Sequence, residues 1–166
     1  IFAAAIQDYK RGVIMGSPSS YGKGTVQGFD DLDSYLIKKD IGPLGSLKLT
    51  TNKFYRVNGG STQWKGVEPD ILLPDVYMLQ EYGEKKLPHS IKWDEIPASE
   101  YSPWEYLLLN LDTLEQRSNE RVDNNSTFQL IKENSNRYKA LRDDTQIPLE
   151  YNAYAALQIK RKEETE

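Results

Sequence analysis

Ten of the eleven glycines in this 166-residue chain fall within its first 66 residues, and only Gly83 follows them. Glycine serves tight turns and close backbone approaches, and each one costs a helix interior about 1 kcal/mol. One uniform fold does not accommodate that distribution. It requires a loop-and-strand unit followed by a helical one, with the change near the proline-marked run "GVEPDILLPD" at residues 66–75. Charge divides at the same place: residues 1–75 hold nine basic and eight acidic side chains, residues 76–166 hold twelve and seventeen. The first unit is near +1 and the second near −5, and we read them as separate domains, 1–75 and 76–166.

The first unit has an α/β pattern. In "IFAAAIQDY", Phe2, Ala3, Ala5, Ile6 and Tyr9 recur at helical spacing without a preceding cap, so the sequence reads as opening inside a helix, as a fragment or processed product would. A short strand at Val13–Met15 is stopped by Gly16 and Pro18, and "GTVQGF" is a second strand. "DDLDSYLIKKDIGPLG" reads as a connection, and "SLKLTTNKFYRVNGG" gives the strongest strand signal, closed by Asn58-Gly59-Gly60 turn chemistry. Ile71–Leu73 is a last strand. Three helices are expected in the second unit. The first has Ser102 as cap and Pro103 at its first position, with Trp104, Leu107, Leu108, Leu111 and Leu114 on one face. The second carries Phe128, Ile131, Tyr138 and Leu141. The third runs from Tyr151 to Glu164 with Tyr151, Tyr154 and Leu157.

Composition narrows the chemistry. With no cysteine there is no disulfide, thiolate nucleophile or zinc–thiolate site, and His89, the single histidine, lies in a proline-marked loop and reads as surface. Asp30, Asp31 and Asp33 lack the glycine and spaced glutamate of a calcium loop. We expect neither metal nor cofactor. A net charge of −4 argues against nucleic acid as a partner, and no window approaches the length of a membrane span.

What remains is "GSPSSYGKGTVQGF", residues 16–29, which sets Lys23 between two glycines. A phosphate cradle fails there. Five residues rather than four separate Gly16 from Gly22, Gly24 replaces the hydroxyl residue after the lysine, and a strand follows where a helix is needed. A solvated loop tip and a catalytic lysine remain. Strand alternation sets Lys23, Thr25 and Gln27 on one face. No acid occurs between Asp8 and Asp30, and Tyr21, Val26 and Phe29 are available as apolar walls around the amine.

"IFAAAIQDY…RGVIMGSPSSYGKGTVQGF" and "LGSLKLTTNKFYRVNGGSTQWKGVEPDILLPD" together resemble the C-terminal-processing, or tail-specific, serine peptidases, and the likeness runs more loosely into the helical half. The resemblance implies the end of a ClpP/crotonase-like protease core followed by an α-helical C-terminal domain. It also implies a serine–lysine dyad with Lys23 as general base and Gln27 beside it. The nucleophilic serine is expected just ahead of the opening helix, outside this sequence. Ser17, Ser19 and Ser20 do not match the motif, so the fragment alone is expected to be inactive. The family implies protein substrates recognised by their C-terminal tails, an upstream PDZ-like domain as partner, and work in the bacterial periplasm.

The residue types suit that chemistry. A serine hydroxyl needs a proton acceptor, and an amine accepts only when neutral. Lysine ordinarily titrates near 10.4, a base for neutral pH needs about 7–8, and the difference of about 4 kcal/mol must come from burial and the absence of a carboxylate partner. Gln27 fixes the amine without adding charge, and the flanking glycines would let the loop run close to the nucleophile's helix. Arg56 with Asn58-Gly59-Gly60 reads as a hairpin turn near the site, within reach of substrate. Trp64, Trp93 and Trp104 read as packing anchors. A non-catalytic reading stands beside this one: the acidic helical half as a scaffolding or protein-interaction module.

Overall fold

The computed structural model describes residues 1–37, 42–80, 82–104 and 110–163. Its architecture is mixed α/β, with strands and a short helix first and three longer helices after. Helix α1 spans Phe2–Asp8. It stops where Lys10 turns into the left-handed region at φ 49° and Arg11 N–H closes back onto the Ile6 carbonyl at 2.9 Å. Strand β1 is Met15–Gly16, one to two residues later than the apolar run predicts, because its ladder partner among the described residues is Ile71–Leu72 (β4), parallel, with Met15 opposite Ile71. Asp70 fixes that register: its carboxylate accepts from Ile14 N–H at 2.8 Å and from Gln7 Nε2 at 2.8 Å, tying strand to helix.

Strands β2 (Thr25–Asp31) and β3 (Ser46–Lys53) form an antiparallel hairpin. Between Val26 and Gln27 the register steps from Asn52 to Thr50, so the extra residue, Thr51, lies on β3 and β2 keeps its own alternation. The predicted strand through Val57 ends at Lys53. Beyond it Phe54 donates to the Gly24 carbonyl, Tyr55 bridges Ser61, and a turn closes with Arg56 N–H on the Gly60 carbonyl at 2.8 Å. The connection after β2 begins with a 3₁₀ turn, Leu32–Tyr35, capped by the Asp31 carboxylate, and its residues 38–41 lie outside the described residues.

The helices are α2 (Leu111–Asp123), α3 (Ser126–Asp143) and α4 (Tyr151–Glu163). Helix α2 is capped by Asn110, whose side chain accepts from Thr113 N–H at 2.9 Å, and not by Ser102. Residues 101–104 are not helical because they dock on α1. Trp104 N–H donates to the Tyr9 carbonyl at 2.8 Å, Tyr101 meets Tyr9 edge-on at 5.5 Å, and Arg11 stacks on the Trp104 ring at 4.0 Å. Leu107 and Leu108 lie outside the described residues. Asn125 caps α3 through Thr127 and Phe128 N–H. Helix α2 packs on α3 and β4, and the buried Ser135 hydroxyl of α3 donates to the Asp75 carbonyl at 3.0 Å.

The interior is small and polar. Among the described residues the buried apolar ones are Ala4, Val67, Ile71 and Val122, against Asp8, Thr25, Ser61, Thr62, Gln63, Ser118 and Ser135. The accessible surface is 12685 Å², whereas a compact chain of this mass exposes about 8,400 Å². Large apolar side chains such as Phe2, Phe29 and Tyr151 stay uncovered as a result. No described helix is long and apolar enough to cross a membrane.

Candidate active site

Lys23 stands at the end of the loop that leads into β2. Its Nζ donates to Gln27 Oε1 at 2.9 Å and reaches Thr25 Oγ1 at 3.5 Å, the outer limit of a hydrogen bond. The side chains of Lys23, Thr25 and Gln27 therefore meet on one side of the strand. Among the described residues no carboxylate forms an ion pair with this amine.

The apolar enclosure expected around it is absent. Lys23 is exposed, and the side chains read as its walls, Tyr21, Val26 and Phe29, are 40%, 49% and 75% exposed. Tyr21 turns instead to Tyr82, edge-on at 5.4 Å, and Phe29 lies out along the hairpin under Lys48. Apart from the buried Thr25, most residues of β2 and β3 are exposed.

The flanking glycines serve a different neighbour from the one predicted. A Cβ on Gly22 would sit 3.0 Å from the Trp64 carbonyl oxygen, and one on Gly24 would drive into the Gln63 backbone nitrogen. The close approach is thus to residues 63–66 and not to α1. Trp64 N–H donates to the Gly22 carbonyl at 2.7 Å, with Trp64 itself held at φ 72°, a region bulky residues avoid at a cost of about 1–3 kcal/mol. Gln63 is fully buried, and its Oε1 accepts from Gly24 N–H at 2.7 Å. One turn further, Val67 N–H donates to the Ser20 hydroxyl at 2.9 Å and Ser20 N–H to the Val67 carbonyl at 3.0 Å. Ser20 is thereby committed to the loop's frame, and Ser17 to Asp75 at 2.5 Å.

Arg56 does not face outward. Its guanidinium forks onto Asp8, Nε to Oδ2 at 2.9 Å and Nη2 to Oδ1 at 2.6 Å, and also reaches Gln7, while Asn58 Nδ2 adds a bond to Asp8 at 2.9 Å. This nearly buried pair pins the hairpin turn to the last turn of α1. Trp93 anchors the turn through Nε1 on the Ser61 carbonyl at 2.9 Å, with Lys65 over its ring at 3.8 Å. Trp104 packs on α1, and His89 is exposed. No described group of three or more His, Cys, Asp or Glu is arranged to hold a metal ion.

Sequence reading missed Gln63 and Asp8. Gln63 finds its partners 39, 21 and 28 residues away, and Asp8 pairs 48 residues away with Arg56. No local pattern marks either one. The only available signal was a polar residue placed on the buried side of a helix or inside a turn.

Lys23 thus ends a glycine loop that leads into β2, with its amine on two neutral side-chain oxygens. The family model for peptidase family S41 matches residues 1–73, and that for the C-terminal domain of tail specific protease matches residues 77–166. The chain belongs to the tail-specific proteases of peptidase family S41. It is 52% identical over 101 residues to the tail-specific protease of Haemophilus influenzae, which covers 61% of this chain and 14% of that protein. It is 38% identical over 98 residues to the carboxy-terminal-processing protease of Bartonella bacilliformis, 55% of this chain and 20% of that protein. The chain therefore spans a fifth or less of the length of these relatives.

Proposed function

We propose that this chain carries the general base of a serine endopeptidase, Lys23, and that Gln27 orients it. Residues 1–75 are then the C-terminal part of the peptidase core and residues 76–166 a helical domain. The observation that supports this reading is the contact of Lys23 Nζ with Gln27 Oε1 at 2.9 Å, with no carboxylate paired to the amine among the described residues. A carboxylate there would hold the amine as ammonium and end its use as a base, whereas a carboxamide positions it at no such cost.

The serine comes from outside these 166 residues. Its Oγ attacks the scissile carbonyl carbon as its proton passes to the neutral Lys23 amine. The resulting ammonium then gives that proton to the departing amine as the C–N bond breaks, leaving an acyl-enzyme. Water, deprotonated by the same amine, attacks the ester, and the ammonium returns that proton to the serine Oγ as its C–O bond breaks. The cover that dries the amine is also supplied from outside this chain, over the face left open at Tyr21, Val26 and Phe29. On this reading the intact protein takes protein substrates by their C-terminal tails through a PDZ-like domain, in the bacterial periplasm, and the 166 residues alone are inactive.

The test is a fluorophosphonate probe on the full-length protein. Wild type is expected to label on a serine outside residues 1–166. Lys23→Ala should lose labelling and peptidase activity by about 100- to 10,000-fold, the usual contribution of a general base. Equal labelling of both proteins would remove Lys23 from the mechanism. A second reading, the helical half as a docking module, is favoured by the bare apolar side chains Tyr151, Tyr154 and Ile159 on α4.

A further inference from the structure

Gln63 has no solvent exposure, and each polar atom of its amide is engaged. Its Oε1 takes the N–H of Gly24, the residue next to Lys23, at 2.7 Å. Its Nε2 donates to Glu84 Oε1 and to the Ile91 carbonyl, both at 3.2 Å. Glu84 N–H in turn donates to the Tyr21 carbonyl at 2.8 Å, on the other side of Lys23. Residues 84 and 91 lie in the part of the chain matched by the C-terminal-domain family. The loop around Lys23 is thus held on one side by the arm, at Tyr21, and on the other by Gln63, at Gly24, whose buried amide the same arm engages.

We propose that Gln63 is a positioning residue for the Lys23 amine, and that the arm of residues 82–91 fixes it through Glu84 and Ile91. The C-terminal region is then part of the catalytic apparatus. The inference rests on the reading of Lys23 as base. A buried carboxamide costs several kcal/mol unless bonded, so its three partners select a single position for it. A rigid contact with Gly24 N–H passes that position to the next residue, and misplacement of a catalytic group by about 1 Å costs about 100-fold in rate.

The experiment uses the full-length protein. Gln63→Met keeps the side-chain volume and removes all three hydrogen bonds. It is expected to lower kcat by about 10- to 100-fold with KM within about twofold. The acidic limb of the pH profile should also move to higher pH, because a displaced amine regains water and with it the charged form. Glu84→Ala is expected to lose about 3- to 10-fold, and Glu84→Gln, which keeps an acceptor oxygen, to recover most of that. A Gln63→Met protein with a lower Tm but wild-type kcat and an unmoved acidic limb would mean a purely structural role and overturn the proposal. Should that variant fail to fold, wild-type kcat in Glu84→Ala overturns it as well. Lys23→Ala separates the two ideas. If it stays active, the base assignment fails; if it is dead while both the Gln63 and Glu84 variants behave as wild type, only the positioning role fails.

Discussion

Lys23 differs from its neighbours in the company its amine keeps. Lys53 is bonded to Asp94 at 2.5 Å, Lys132 to Asp123 at 3.1 Å, and Lys65 lies over Trp93, whereas Lys23 meets two neutral oxygens. Replacing Gln27 with Glu changes one partner atom and places a formal charge 2.9 Å from where the amine now rests. That charge favours ammonium, so the full-length Gln27→Glu protein should lose about 10- to 100-fold in kcat/KM at neutral pH and recover part of it as pH rises. Gln27→Ala should lose less at neutral pH and show no such recovery. A pH–rate profile of the three proteins decides the matter. The pairing was legible in the sequence because positions four apart on a strand share a face, and that geometry is local. The exposure of the amine was not, since it depends on what covers the ribbon.

At the scale of elements, glycine and buried charge do the positioning. Gly24→Ala forces a methyl group into the Gln63 backbone and should cost activity and Tm together, while Gly28→Ala meets only the Thr51 methyl at 3.5 Å and should leave both nearly unchanged. Thermal melts and kcat of the two variants make the comparison. The Arg56–Asp8 fork, with side chains 15% and 5% exposed, joins α1 to the hairpin turn. Asp8→Ala strands a guanidinium in that site and should lower unfolding free energy by about 3–5 kcal/mol in urea titrations. The predicted helices, strands and turn are nearly all present, because periodicity and turn residues act within a few positions. Boundaries moved where long-range bonds intervened. Trp104 is drawn off its expected helix by the Tyr9 carbonyl, and β3 ends where Phe54 turns to Gly24.

Across the whole molecule, the arm that leaves β4 returns to the first unit before the helices begin. Lys53 of β3 grips Asp94 and the Lys92 carbonyl, and Tyr55 adds a bond to Asp94 at 3.2 Å. The hydrogen bond from Lys53, with that lysine's charge behind it, holds the Asp94 carboxyl below the ordinary carboxylate range. A depressed folded-state value means the unfolded chain binds the proton more readily. This contribution is therefore complete above the ordinary range and is lost as pH falls through the depressed one. Asp94→Asn should accordingly be less stable than wild type at neutral pH, with the gap closing in acid, as read by melts across a pH series. Because Asp94 is 54% exposed, the gap should be modest and shrink with added salt.

The sequence alone determined where the chain changes character, which runs become strands or helices, and that Lys23, Thr25 and Gln27 meet. Each of these follows from composition or from spacing over a few residues. Only the tertiary structure decided that the glycines beside Lys23 yield to Gln63 and Trp64, that Arg56 pairs with Asp8, and that the arm from the helical region reaches the loop carrying Lys23. Those contacts join positions 21 to 48 residues apart or more, and their partners are ordinary polar residues whose burial no local pattern announces.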